Sequence, residues 1–364
     1  MHIRIEKDKI LGIIDHVEGI VEKRNTIPIL SNILLNADGD SLTVTATDLD
    51  ITVSDRIADV DVEANGKTTV GAATFSALIR KMPSGSVIDM KVEDSRMTIR
   101  AGRIRYQIPV IPADDFPLGK NTEGTDFTIP VEAITRAFKL VKDSMSTEES
   151  RYYLNGTFLA IEDGSLVAVS TDGHRLSIAL ISETGIDRPD AIVPRKAVNE
   201  IIKILPDFDG DVTIRIDERS VEFELGDLLF HSKLIDGTFP DYTRVVPSGE
   251  GVVIKVDPAT LQQAIERVSV VTSEKTSAIK LQVEKDKITI IANSPDTGSA
   301  QEEVSAESTE EITVGYNARY LREILSGYSS CGGVTITLGN ETSPALIRPD
   351  GAEVDRSVLM PMRI

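Results

Sequence analysis

Tryptophan is absent from this 364-residue chain, cysteine occurs once, histidine four times, and aromatic residues make up only 4%. Each scarcity excludes something. Cores built without tryptophan must be filled by aliphatic side chains, which the 41% apolar content permits. A single cysteine, Cys331, rules out an intramolecular disulfide framework and suits a reducing compartment. No histidine or other base stands near it in sequence, so it reads as a small packing residue rather than an activated thiol. No run approaches the roughly 18 apolar residues of a membrane span. The start, Met1 to Lys9, is charged and alternating, unlike a signal peptide. A cytoplasmic protein with no membrane partner is expected. G-x-S-x-G, P-loop, H-E-x-x-H and C-x-x-C patterns are missing as well. No catalytic residue, metal ligand or cofactor is expected, and the chain reads as a non-enzyme.

Positive charge is also short. The formal net charge is −19, which argues against multi-phosphate contact with nucleic acid. The deficit is uneven, however. Six helical segments (7–24, 74–82, 130–143, 194–204, 257–272 and 316–326) together carry +5, and the rest of the chain −24. Helices rich in Lys and Arg for local reasons would give this split. So would six helices sharing one mildly basic face on an acidic body.

What is present is repetition. Phe75, Leu78, Ile79 and Met82 recur as Val198, Ile201, Ile202 and Leu205, then as Leu321, Ile324, Leu325 and Tyr328, 123 residues apart each time. The spacing i, i+3, i+4, i+7 is that of one helix face. A second helix recurs near each unit's start: Ile10, Ile14 and Val17, then Ile134, Phe138 and Val141, then Leu261, Ile265 and Val268. Alternating runs such as Ser41 to Val53, Leu166 to Ile181 and Lys287 to Ile291 read as half-buried strands. A unit of about 120 residues can hold its own core, unlike a solenoid repeat. The fold class is α+β, three tandem domains over 1–120, 126–246 and 251–364.

Function is expected where the copies differ. Ala46-Thr47-Asp48-Leu49-Asp50 in the first unit matches Ser170-Thr171-Asp172-Gly173-His174-Arg175-Leu176 in the second and Asn293-Ser294-Pro295 in the third. Asp48 and Asp172 read as turn residues that bond nearby amides, rather than as metal ligands. His174 invites a catalytic reading, as in a hydrolase, but no nucleophile or orienting partner accompanies it. Arg151-Tyr152-Tyr153-Leu154-Asn155-Gly156 reads either as core and hairpin residues or as a surface meeting nucleic acid by phosphate bonds and stacking. The terminus Val358-Leu359-Met360-Pro361-Met362-Arg363-Ile364 is apolar, so it should be pinned to the body and suits an adaptable groove for short peptides.

These residues carry a resemblance. Arg24-Asn25-Thr26-Ile27-Pro28-Ile29-Leu30-Ser31-Asn32, Arg151 to Gly156, Thr171 to Leu176, Phe239-Pro240-Asp241-Tyr242 with Arg244, and Met360-Pro361-Met362-Arg363 occur in the order seen in the bacterial DNA polymerase III beta subunit family. The chain resembles that family over its whole length. The resemblance implies three DNA-clamp domains of two helices plus antiparallel strands each. Two copies would close head to tail into a six-domain ring around duplex DNA, held topologically and without sequence preference. The homodimer would meet through Tyr106, Ile108, Val270 and Val271.

Further implied roles follow the matched positions. Arg24, Tyr152 and Tyr153 would touch DNA. The chain has Ala72-Ala73-Thr74 where relatives often carry a basic residue, so Arg80 and Lys81 are added as compensating contacts. Leu154, Thr171, Gly173, His174, Arg175, Leu176, Pro240, Arg244, Val245, Val358, Met360, Pro361 and Met362 would form a peptide pocket between the second and third domains. Leu154, Leu176, Val245, Val358 and Met360 would supply its apolar floor. The partners implied are the replicative polymerase, the clamp loader, other polymerases and mismatch-repair or ligase proteins, docking through short linear motifs.

Overall fold

All six expected helices form. They are α1 (Lys7–Val17), α2 (Ala72–Lys81), α3 (Val131–Val141), α4 (Arg195–Ile204), α5 (Pro258–Ser269) and α6 (Ala318–Gly327). They are seen in a computed structural model that describes residues 1–22, 27–119, 122–183, 190–273 and 277–363. Their repeated apolar residues are buried throughout, except that Leu78 and Ile202 lie only half-buried at the edge of their stripes. Local chemistry fixes some helix starts. Asp257 caps α5 by accepting from the Thr260 amide at 2.7 Å, with Pro258 at the first helical position. Asn317 caps α6 by accepting from the Tyr320 amide.

The chain packs as two compact units, and both draw on the middle repeat. One unit comprises Met1–Val131 with Asn199–Leu234, the other Glu132–Val198 with Ile235–Ile364. The first is built on a 13-stranded sheet and the second on a 12-stranded sheet, with every pairing antiparallel. In the first unit, Leu228–Lys233 from the middle repeat pairs with Ile51–Ile57 from the first, with Phe230 opposite Val53. In the second, Arg175–Ser182 from the middle repeat pairs with Arg356–Leu359 from the third, with Leu176 opposite Val358. Each repeat boundary within a unit is therefore bridged by a continuous ladder, which satisfies backbone groups that would otherwise form a sheet edge.

The repeated turns are the same structure. Ser41–Thr47 and Ile51–Ile57 are joined by a turn in which Asp48 accepts from the amides of Asp50 and Ile51 at 2.9 and 2.7 Å. Ser165–Thr171 and Arg175–Ser182 are joined by one in which Asp172 accepts from His174 and Arg175 at 2.9 and 3.0 Å. The runs from Ser41 to Val53 and from Leu166 to Ile181 are thus hairpins across an aspartate-bound turn, and the strands Ser41–Thr47, Ser165–Thr171 and Arg175–Ser182 are buried along most of their length rather than half-buried.

Candidate partner and nucleic-acid surfaces

The second unit gathers most of the sequence-singled residues around the turn Thr171 to Arg175. Arg175 is buried and fully committed. Its Nε donates to Asp172 at 3.1 Å, its other nitrogens reach Glu323 and the Asp143 carbonyl, and its guanidinium lies 4.4 Å over the Tyr320 ring. This arginine therefore fixes the turn to α6 and supports neighbouring groups, with little left for a ligand. His174 remains exposed, with its ring centroid 6.2 Å from that of Tyr320. The two rings, together with Arg195 and Arg319, border a polar recess of about 230 Å³.

Beside this turn lies an apolar cluster. Leu154, Leu176 and Val358 pack there with Phe239, Tyr242 and Leu346. All three are almost fully buried, so they form a foundation more than an open floor. Val245 (55% exposed) and Met360 (44% exposed) stand in solvent, Val245 next in the chain to Val246, which packs against the cluster. Tyr242 donates from its hydroxyl to Glu162 at 3.1 Å, and Arg356 pairs with the same carboxylate. Burial and the Glu162 charge push the Tyr242 phenol well above its ordinary pKa. Pro240 and Arg244 are exposed, Arg244 pairing with Asp241 at 2.8 Å.

The chain terminus is pinned across this region. Arg356–Leu359 is a strand between two neighbours. Beyond it, the Met360 amide donates to the His174 carbonyl at 2.9 Å and the Met362 amide to the Gly315 carbonyl at 2.8 Å. Pro361 sits between these two anchors. Phe239, Tyr242 and Tyr320 were not assigned to the pocket from sequence. Phe239 and Tyr242 lie within the Phe239-Pro240-Asp241-Tyr242 motif, whereas Tyr320 sits on the exposed side of the α6 pattern and left no local signal.

The expected DNA contacts fall on both units, Arg80 and Lys81 on the first and Tyr152 and Tyr153 on the second. Arg24 lies outside the described residues. Tyr152 is exposed, and Tyr153 meets it edge-on with centroids 5.7 Å apart. Arg80 is held by Asp15 and Glu18 at 2.5 and 2.6 Å, so two carboxylates already offset its charge. Lys81 is exposed. Of the interface residues, Val270 is 79% exposed. Val271 and Tyr106 are half-buried and Ile108 is buried.

Comparison with known proteins accounts for this arrangement. Profiles of the N-terminal, central and C-terminal domains of the DNA polymerase III beta subunit match residues 1–120, 128–241 and 243–363. The chain belongs to the DNA polymerase III beta subunit family. It is 36% identical over 381 residues to the beta sliding clamp of Caulobacter vibrioides and 34% identical over 368 residues to that of Pseudomonas aeruginosa, covering 100% of both chains in each pair. The solved sliding clamp of Bartonella birtlesii, bound to griselimycin, superposes with a TM-score of 0.94 at 37% identity over 100% of both chains. That of Pseudomonas aeruginosa, also bound to griselimycin, gives 0.94 at 34% over 100% of both. The chain is thus a DNA polymerase sliding clamp, a processivity component of DNA replication, built from three tandem clamp domains. Among its described residues no helix is long and apolar enough to cross a membrane.

Proposed function

We propose that two copies of this clamp close head to tail into a ring around duplex DNA, and that partners dock through short linear motifs on the surface formed by Met360 and Val245. No chemistry is performed on the DNA. The observation that carries the docking reading is two exposed apolar side chains, Val245 and Met360, within two residues in the chain of side chains that build or pack on a buried apolar cluster, with the terminus anchored at His174 and Gly315. Such a site is largely preformed, so a peptide's Leu or Phe binds without paying to order its receptor. The replicative polymerase, the clamp loader, other polymerases and mismatch-repair or ligase proteins would compete for it.

Ring closure is supported by two open strand edges. Ile104 to Pro109 pairs with Arg96–Ala101 on one side, and its ladder with Gly66–Gly71 involves only Val110 and Ile111. Gly298 to Ser305 likewise pairs with Lys287–Ser294 alone among the described residues. Arg103 and Arg105 flank the first edge, Glu302 and Glu303 lie on the second, and exposed Val270 directly follows the helix packed against it. Opposite charge on complementary edges favours pairing between copies. Inside such a ring the +5 of the helices against −24 elsewhere would steer DNA without gripping it.

Loading onto nicked circular DNA, followed by linearisation, tests the reading. A topologically held ring slides off the linear form, and retention on it would contradict closure. A fluorescent peptide carrying a Leu–Phe motif tests the groove, with expected loss of affinity of about tenfold on Met360→Ala.

A further inference from the structure

Within the first unit, the junction of the first and second clamp domains holds a histidine between two carboxylates. His16, in the last turn of α1, has Nδ1 2.7 Å from Asp55 Oδ2 and Nε2 3.3 Å from Asp207 Oδ2. Asp55 belongs to the first domain's strand Ile51–Ile57, and Asp207 to the turn Leu205–Asp207 that follows α4 in the second. The ring also lies 5.5 Å from Phe208. We propose that His16 is a proton-controlled latch, whose imidazolium ties the first domain to the second and whose neutral form releases Asp207.

The geometry requires this behaviour. A carboxylate only accepts, so both ring nitrogens must donate for both bonds to exist, and only the imidazolium does so. Neutral imidazole keeps one N–H. The Asp55 side chain is 9% exposed and that of Asp207 62% exposed. A buried carboxylate left without its donor costs more than an exposed one, which water can solvate. The neutral ring therefore keeps its bond to Asp55 and turns a lone pair toward Asp207. The bond that is lost is the one across the junction.

Charges on every neighbouring element leave this exchange to His16. On α1 and the turn after it, Asp15 and Glu18 are held by Arg80. On α4, Glu200 pairs with Lys203 at 2.8 Å and approaches Gly19 so closely that a β-carbon there would lie 2.1 Å from Glu200 Oε2. On the joining strands, Arg56 lies 3.9 Å from Asp227, Lys233 pairs with Asp50 at 3.0 Å, and His231, opposite Thr52, has its pKa lowered by burial. Burial alone would lower the His16 pKa, but its bonds to Asp55 and Asp207 outweigh that, and it stands above the ordinary histidine value. The tie is then complete below about pH 6.5 and is lost as pH rises through the raised value.

Among the described residues, the corresponding junction in the second unit is tied by arginines instead. Arg136 pairs with Asp355, which also accepts from the Leu180 amide at 2.7 Å, and Arg356 pairs with Glu162. Arginine keeps its charge throughout the physiological range.

Hydrogen exchange on the full-length protein, corrected for intrinsic rates, tests the latch from about pH 6 to about pH 8.5. In the wild type, exchange across Leu205 to Phe208 should rise about tenfold over that range, the weight of one charge-assisted bond. Asp207→Asn should already be fast at the low end and flat thereafter. His16→Gln provides the same test should that variant fold poorly, and it assigns the His16 resonances among the four histidines. A wild-type turn that does not respond to pH overturns the proposal. So does an Asp207→Asn or His16→Gln protein with the wild-type slope, or an NMR titration that leaves His16 neutral below about pH 6.

Discussion

Leu49 and Gly173 occupy the same place in two copies of one turn, and both adopt left-handed backbone, with φ of 79° and 86°. Glycine takes that conformation freely, whereas a leucine there is strained by its Cβ. The second copy has glycine for a further reason. A β-carbon on Gly173 would also lie 3.0 Å from Arg151 Nη1, the end of a half-exposed side chain that would have to shift. Gly173→Ala should therefore lower unfolding free energy by about 1 kcal/mol in urea titration. Arg175 illustrates a different effect. Its partners Asp172 and Glu323 would be left with uncompensated, partly buried charge, so Arg175→Ala should cost about 3 kcal/mol. Met360→Ala makes the contrast. Its side chain is exposed and its anchoring group is the backbone amide, so thermal stability should stay within about 0.5 kcal/mol of wild type while peptide affinity falls.

At the scale of elements, the helices were legible because a core-facing stripe repeats every 3.6 residues, and residues such as Phe75, Ile134 and Leu321 must be buried wherever their helix docks. The aspartate turns were legible for an equally local reason, since Asp48 and Asp172 bond amides two and three residues on. Strand partnership was not. Nothing in Leu228–Lys233 records that its neighbour is Ile51–Ile57, because ladder bonds are made by backbone atoms common to every residue. The division of the middle repeat between two sheets was hidden for that reason. The same limit applies to the peptide surface. Sequence grouped Leu154, Leu176 and Val358 with Val245 and Met360, but not which were foundation and which were exposed. Leu176→Ala should therefore behave as a core mutation. It removes a buried side chain opposite Val358 in the ladder that joins the second and third domains. A loss of about 2–5 kcal/mol in denaturant unfolding is expected, far above that for Met360→Ala.

For the whole molecule, assembly depends on surface that the single chain leaves open. Among the described residues Val270 is the most exposed of the large apolar side chains, and it directly follows α5, which packs against the strand Gly298–Ser308 with its free edge. An apolar side chain left in water beside an unpaired ladder is a poor arrangement for a monomer and a good one for a dimer. Its replacement by a charge should separate assembly from folding. Val270→Glu places a carboxylate where the isolated chain already contacts water, so the unfolding midpoint at low protein concentration should barely change. In the dimer that carboxylate would be desolvated, against the cost of burying an unpaired charge. Light scattering should then report a species of 39.6 kDa for the variant and twice that mass for the wild type at micromolar concentration. Peptide binding should survive in the monomer, since Met360, Val245 and the buried cluster all belong to one chain. Retention of the doubled mass by Val270→Glu would move the interface away from this edge, whatever the peptide result.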